Sequence, residues 1–112
     1  MTKGHKDTKG KLPLNLVPPR AYASIAKVRE FGNNKYNSPW GWLEHTTPDQ
    51  YIEATKRHLL KLAMKEEKDP ESGLLHLEHA LCSLAMAVEL VKLKEEKKPN
   101  NKYWNEQDYN QW

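Results

Sequence analysis

Leu77, Leu81, Leu84, Val88 and Val91 recur at alternating spacings of four and three, and no other feature limits the fold of this chain so tightly. That rhythm follows the 3.6-residue turn of an α-helix and puts all five side chains on one apolar stripe, the predicted core face. Glu78, Ala85, Glu89 and Glu96 fall on the expected solvent side. Beside the stripe runs a second face, His76, His79, Ala80, Ser83 and Ala87, whose small residues let another helix come close. The helix is predicted to start with Asp69 as cap, Pro70 in the first turn and Glu71 at the positive end of the dipole. Gly73 is a poor helix former at such a place and hints at close approach of backbone or ligand.

A preceding helix has an equally local start signal. Thr47 can cap, Pro48 suits the first position, Asp49 favours the dipole and Gln50 completes a capping box. On this second helix Ile52, Thr55, Leu59, Leu62, Ala63 and Glu66 share one face, opposite Glu53, Arg57, Lys61 and Lys65. A first helix is expected from Pro19, with Ala21, Ile25 and Val28 inward and Gly32 as its stop. Between them, residues 33–46 read as a loop carrying Tyr36, Trp40 and Trp42. These aromatics suit either the edge of a core or contact with a ligand. Leu12 to Pro19, broken by prolines, reads as an extended segment laid over the domain.

No strand alternation and no internal repeat is present, so the fold class is all-α: a small helical bundle built on the hairpin of the second and third helices. Residues 1–11 form a basic tail without apolar periodicity and residues 12–97 the helical domain. Residues 98–112 form a tail with Tyr103, Trp104, Tyr109 and Trp112, expected to dock on this domain or on a neighbouring subunit.

Length and composition narrow the classes further. With 112 residues, 38% hydrophobic and 29% charged, the chain suits one modest core. No apolar run reaches the roughly 20 residues that span a bilayer, and no signal-peptide pattern follows Met1. Lone Cys82 suits a reducing compartment, so the cytoplasm is expected, that of a host cell if the protein is phage-encoded. A net charge of +3, with Lys3, Lys6, Lys9 and Lys11 in the N-terminal tail, does not argue for nucleic acid.

The chemistry-bearing residues gather where the second helix gives way to the third. Glu66 and Asp69 lie three apart, and so do His76 and His79, which places both imidazoles on one side of a helix. A tight hairpin would assemble the four into a nitrogen and oxygen donor set suited to a divalent first-row metal, or through its carboxylates to Mg²⁺ or Mn²⁺. Arg57, Lys61 and Lys35 are cations within reach of a phosphate chain. The plainer readings stand beside these: Asp69 suits a cap as well as a ligand, and His58 can pack beside Tyr51 and Leu62. No P-loop or dinucleotide fingerprint occurs.

The ordered set Pro18-Pro19, Phe31-Gly32, Lys35-Tyr36, Trp40 and Arg57-His58, followed by Glu66-x-x-Asp69-x-Glu71-Ser72-Gly73-Leu74-x-His76-Leu77-x-His79-Ala80, resembles the N-terminal domain family of phage-type dATP/dGTP diphosphohydrolases. That family looks related in architecture to the all-α MazG-like pyrophosphohydrolases. The resemblance spans about residues 11–93 and implies hydrolysis of a purine deoxynucleoside triphosphate to monophosphate and pyrophosphate with a divalent metal, Mg²⁺ or Mn²⁺. By position it implies that Glu66, Asp69, His76 and His79 hold metal or orient water, with Glu66, Asp69 and His79 catalytic. It further implies that Arg57 and His58 face the phosphates, and that Lys35, Tyr36 and Trp40 line the nucleotide side. Two departures stand out: Pro39-Trp40 replaces the family's Asn-Trp, and the ExxE pair typical of MazG-like enzymes is missing, with Glu53 alone on the exposed side of the second helix.

Three functional readings follow. The first is a metal-dependent purine nucleotide pyrophosphohydrolase that assembles as a homo-oligomer. The second is a non-catalytic phage protein that binds or sequesters a nucleotide or nucleotide signal. The third is a structural interaction protein with the histidines as satisfied core groups.

Overall fold

The computed structural model describes residues 10–96. His5, most of the basic tail and the aromatic residues after Pro99 lie outside the described residues. Among the described residues a 3₁₀ turn at Leu14–Leu16 precedes four α-helices: α1 (Pro19–Tyr36), α2 (Trp42–His45), α3 (Pro48–Ala63) and α4 (His76–Glu95). No strand occurs among them, only an isolated antiparallel bridge between Lys68 and Leu75. The all-α class therefore holds. α4 is the central element, packed chiefly on α3 and secondarily on α1.

α1 begins as the prolines dictate, with Pro18 extended and Pro19 at the first helical position. It does not stop at Gly32. The helix runs on to Tyr36 and ends where Asn37 takes the left-handed conformation (φ 53°), its N–H bonded to the Asn33 carbonyl at 2.6 Å. Asn tolerates that conformation almost as well as Gly does, so it ends the helix instead. Residues 12–17 also depart from expectation. Leu12, Leu14, Leu16 and Val17 are all exposed, so this segment does not cover the domain.

The stretch expected to be a bare loop contains the end of α1 and all of α2. Arg29 holds it in place: the guanidinium donates to the Pro39 carbonyl and lies 5.3 and 5.5 Å from the centres of the Trp40 and Trp42 rings. Cation–π attraction of this kind fixes a loop without a second strand or helix. Leu43 from α2 then joins Leu90 and Leu93 of α4 in a small apolar core, with Trp42 and Tyr51 packed against it.

α3 starts as its sequence states. The Thr47 hydroxyl accepts from the Gln50 N–H at 3.3 Å, and the Gln50 side chain accepts from the Thr47 N–H at 2.9 Å. It ends earlier than expected, at Ala63. Lys65 adopts φ 73°, with Lys65 N–H bonded to Leu62 O (2.9 Å) and Glu66 N–H to Lys61 O (3.0 Å). This is a Schellman termination with lysine in the position glycine favours. Glu66 consequently belongs to the connecting loop, not to the helix stripe.

The largest correction concerns α4. Asp69, Pro70 and Glu71 do not start it; His76 does, after Leu75. Its buried residues are His76, His79, Ala80, Cys82, Ala87, Leu90 and Leu93, whereas Leu77 and Val88 are each 55% exposed and Leu84 and Val91 are exposed as well. The small-residue face is inward and the leucine–valine stripe is largely outward. Ala80 and Ala87 allow α1 and α3 to approach the α4 backbone closely, which the larger side chains would prevent. Glu78, expected in solvent, clips α1 to α4: it accepts from the Ser24 hydroxyl at 2.5 Å and from the Leu75 N–H at 2.9 Å. These donors, Ser24 first, hold its carboxyl below the usual range.

Candidate active site

The residues between α3 and α4 form a closed loop that presents one face to both helices. Asp69 N–H bonds to Leu74 O (2.8 Å), Gly73 N–H to Asp69 O (2.8 Å) and His76 N–H to Glu67 O (2.8 Å). Gly73 sits at φ 76° with no atom within 4 Å of where a Cβ would be. Its glycine is explained by backbone conformation and not by close approach of another group.

Within this frame Asp69 caps a turn, not a helix. Its Oδ2 accepts from the Ser72 N–H (3.3 Å) and the Ser72 hydroxyl (3.0 Å). Ser72 Oγ in turn lies 2.7 Å from His79 Nε2 and accepts from the Leu74 N–H at 3.1 Å. Because the serine proton is committed to Asp69, His79 Nε2 must carry the proton of the third bond. His79 Nε2 is also 3.5 Å from Asp69 Oδ2. Burial pushes the Asp69 carboxyl up, but the Ser72 hydroxyl, His79 and the Ser72 and Glu71 amides more than offset it, and the net shift is downward.

A second chain of contacts runs beside the first. Glu66 Oε1 lies 3.1 Å from His76 Nε2, and His76 Nδ1 lies 2.8 Å from His58 Nδ1. The carboxylate can only accept, so His76 is protonated on Nε2, its Nδ1 accepts, and His58 donates from Nδ1. His58 is thereby left with Nε2 as its lone-pair nitrogen. The His58 ring stacks on His79 at 4.7 Å with an interplanar angle of 10°, joining the two chains, and Phe31 meets His79 edge-on at 6.2 Å. Burial, foremost, lowers the pKa of both His58 and His79.

Thus the structure brings Glu66, Asp69, His76 and His79 to one helix junction, together with His58. They meet as two histidine–carboxylate pairs. Among the described residues no group of three or more His, Cys, Asp or Glu side chains is arranged to hold a metal ion. The donors are engaged pairwise, His76 with Glu66 at 3.1 Å and His79 with Asp69 at 3.5 Å.

The remaining expected residues lie at the periphery. Arg57 is exposed and paired with Glu53 one turn earlier at 3.0 Å. Lys35 pairs with Glu71 at 2.6 Å, an exposed contact between the end of α1 and the site loop that raises the lysine pKa. Glu71 therefore serves this ion pair and not a helix dipole. Tyr36 is exposed beside Lys35, and Trp40 is exposed near Trp42. Ser72 and Arg29 had no expected role. Ser72 could have been found from its place three residues after Asp69, a spacing that favours side-chain turns. Arg29 acts on Pro39 across ten residues, which no local pattern signals.

Fold and site together define a small all-α domain with a histidine–carboxylate cluster at a helix junction. The model of the family described as dATP/dGTP diphosphohydrolase, N-terminal, matches residues 1–100. Over 82 residues, 72% of this chain, the sequence is 37% identical to a protein named dATP/dGTP diphosphohydrolase from Salmonella phage PMBT28. The chain belongs to the dATP/dGTP diphosphohydrolase N-terminal family. It spans 27% of the length of that phage relative. No solved structure matches the chain.

Proposed function

We propose that this chain hydrolyses purine deoxynucleoside triphosphates, dATP or dGTP, to the monophosphate and pyrophosphate, and does so at the Glu66–His76–His58 relay. The observation that carries this reading is the unbroken chain of contacts from Glu66 to His76 at 3.1 Å and from His76 to His58 at 2.8 Å. Each hydrogen bond points toward the Glu66 carboxylate, so His58 Nε2 is a base whose acquired charge is relayed to an anion. Water attacks the α-phosphorus, its proton passes to His58 Nε2, and the bond to the bridging oxygen breaks to release pyrophosphate. Asp69, Ser72 and His79 hold the opposite side of His58 in place through the stacked rings.

A divalent ion, Mg²⁺ or Mn²⁺, would neutralise phosphate charge, with the Glu66 and Asp69 carboxylates and the His76 and His79 imidazoles as the groups on this chain that would hold it. Lys35 and Arg57 can swing from Glu71 and Glu53 to meet phosphate oxygens, because both ion pairs are exposed and weak. Chelation is then expected to stop turnover. Replacing His58 by Asn or Glu66 by Gln should lower kcat by about 10²-fold or more. Equal turnover in both variants and wild type would refute the relay.

The exposed stripe on α4 supports self-association as part of this proposal. Leu77, Leu84, Val88 and Val91 form a contiguous apolar face of a kind that soluble monomers rarely leave open. A second copy would cover it and bring two clusters near one seam. Among the described residues no helix is long and apolar enough to cross a membrane.

One observation favours a different reading. The two histidine–carboxylate pairs already satisfy each other, which also suits a domain that holds a nucleotide without cutting it. Tight binding with the nucleotide recovered unchanged would select that reading.

A further inference from the structure

A cavity of about 580 Å³ opens between α1, the loop around α2, and α4, outside the histidine–carboxylate cluster. Its walls include Gly32, Trp42, His45, Tyr51, Ser83 and Met86. Trp42 and Tyr51 meet edge to face at 6.0 Å, and Arg29 stands over Trp42 at 5.5 Å from the ring centre, so two aromatic walls are held rigidly before any ligand enters. Such a lining, mostly apolar with a few polar groups at its edge, is what recognises a flat heteroaromatic molecule, and the volume falls within the usual range for small-molecule sites.

The cavity adjoins the cluster along the α1–α4 seam. Gly32 follows Phe31, which touches His79, while Ser83 and Met86 lie one and two turns beyond His79 on α4. At 1.5 Å per residue that is about 6–10 Å along the helix axis, comparable to the reach from a nucleobase to its α-phosphate.

We infer that this cavity receives the purine base of the nucleotide, its face against one of the perpendicular Trp42 and Tyr51 rings and its edge toward the other, with the Ser83 hydroxyl and His45 imidazole available to the base edge. The inference rests on the proposed nucleotide chemistry at the adjoining cluster and assigns the part of the substrate that the cluster does not touch. A pyrimidine would leave part of the aromatic wall uncovered, which gives the site its preference for the larger base.

Gly32 makes a clean test possible. It lines the cavity, and a Cβ there would meet nothing within 4 Å, while leucine is a better helix former than glycine. Gly32→Leu should therefore fold normally and fill the space. Ser83→Met serves the same purpose from α4 should Gly32→Leu lower the melting temperature. Tryptophan fluorescence of the full chain would be titrated with deoxyguanosine, deoxyadenosine and thymidine, which carry no phosphate, and with inorganic triphosphate. The expected result is saturable purine nucleoside binding, weaker by about tenfold for thymidine and by about tenfold or more in the filled variant, with triphosphate binding unchanged. Equal nucleoside binding by wild type and a folded, filled variant overturns the inference, as does absence of purine binding by wild type. If purine nucleosides bind but no triphosphate is hydrolysed, the base site stands and the hydrolytic reading fails. If hydrolysis proceeds with KM unchanged in the filled variant, hydrolysis stands and the base site fails.

Discussion

Ser72 carries more of the site than its size suggests. One hydroxyl donates to Asp69 and accepts from His79 and from the Leu74 amide, so its removal leaves three groups short of a partner. Ser72→Ala is expected to destabilise the fold by about 1–3 kcal/mol, read as a lower denaturant midpoint with unchanged m-value. His58 and His79 make a separate, pH-dependent contribution. Burial lowers both pKa values in the folded state, so between those values and the ordinary 6.5 the unfolded chain binds more protons. Stability should be full above pH 6.5 and fall as pH drops through that window; a flat melting temperature there would contradict the neutral assignment. Lys65 tests the loop in the opposite sense. Its φ of 73° suits glycine, so Lys65→Gly should stabilise by up to about 1 kcal/mol, less whatever the freer unfolded chain takes back.

At the scale of elements, the parts legible in the sequence were those set by neighbouring residues. Thr47, Pro48 and Gln50 build the start of α3 with their own side chains and backbone, so the structure repeats the prediction. The existence of α4 was equally plain. Its orientation was not, because periodicity locates an apolar stripe without saying which face meets a neighbour. Leu77, Leu84 and Val88 made the louder stripe, yet Ala80 and Ala87 permit the closer helix packing. Asp69-Pro70-Glu71 misled for a related reason: the residues that start a helix also start a turn, and Gly73 at φ 76° with the Lys68–Leu75 bridge decides for the turn. The meeting of His58 with His76 and His79 was out of reach, since it depends on how far the loop lets α3 and α4 slide past each other. Gly32 gives this scale its prediction. It lies within α1 with open space at its Cβ, so Gly32→Ala should raise stability by about 0.5–1 kcal/mol in thermal melts.

For the whole molecule, the apolar stripe of α4 and the exposed Leu12, Leu14 and Leu16 are, among the described residues, hydrophobic surface that a second copy would cover. Light scattering after size exclusion should give a mass above that of a single chain, and Val88→Lys should move it toward the monomer while leaving helix content intact. A monomeric wild type would remove self-association from the account. The central claim is the chemistry of the cluster, and it is tested most directly by incubating the chain with dATP, dGTP, dCTP and dTTP plus Mg²⁺ or Mn²⁺ in isotopically labelled water and weighing the products. The predicted result is purine monophosphate and pyrophosphate with the label incorporated once, from wild type and not from His58→Asn. Purine triphosphates recovered intact from well-folded wild type, or cleaved equally by the variant, would contradict it.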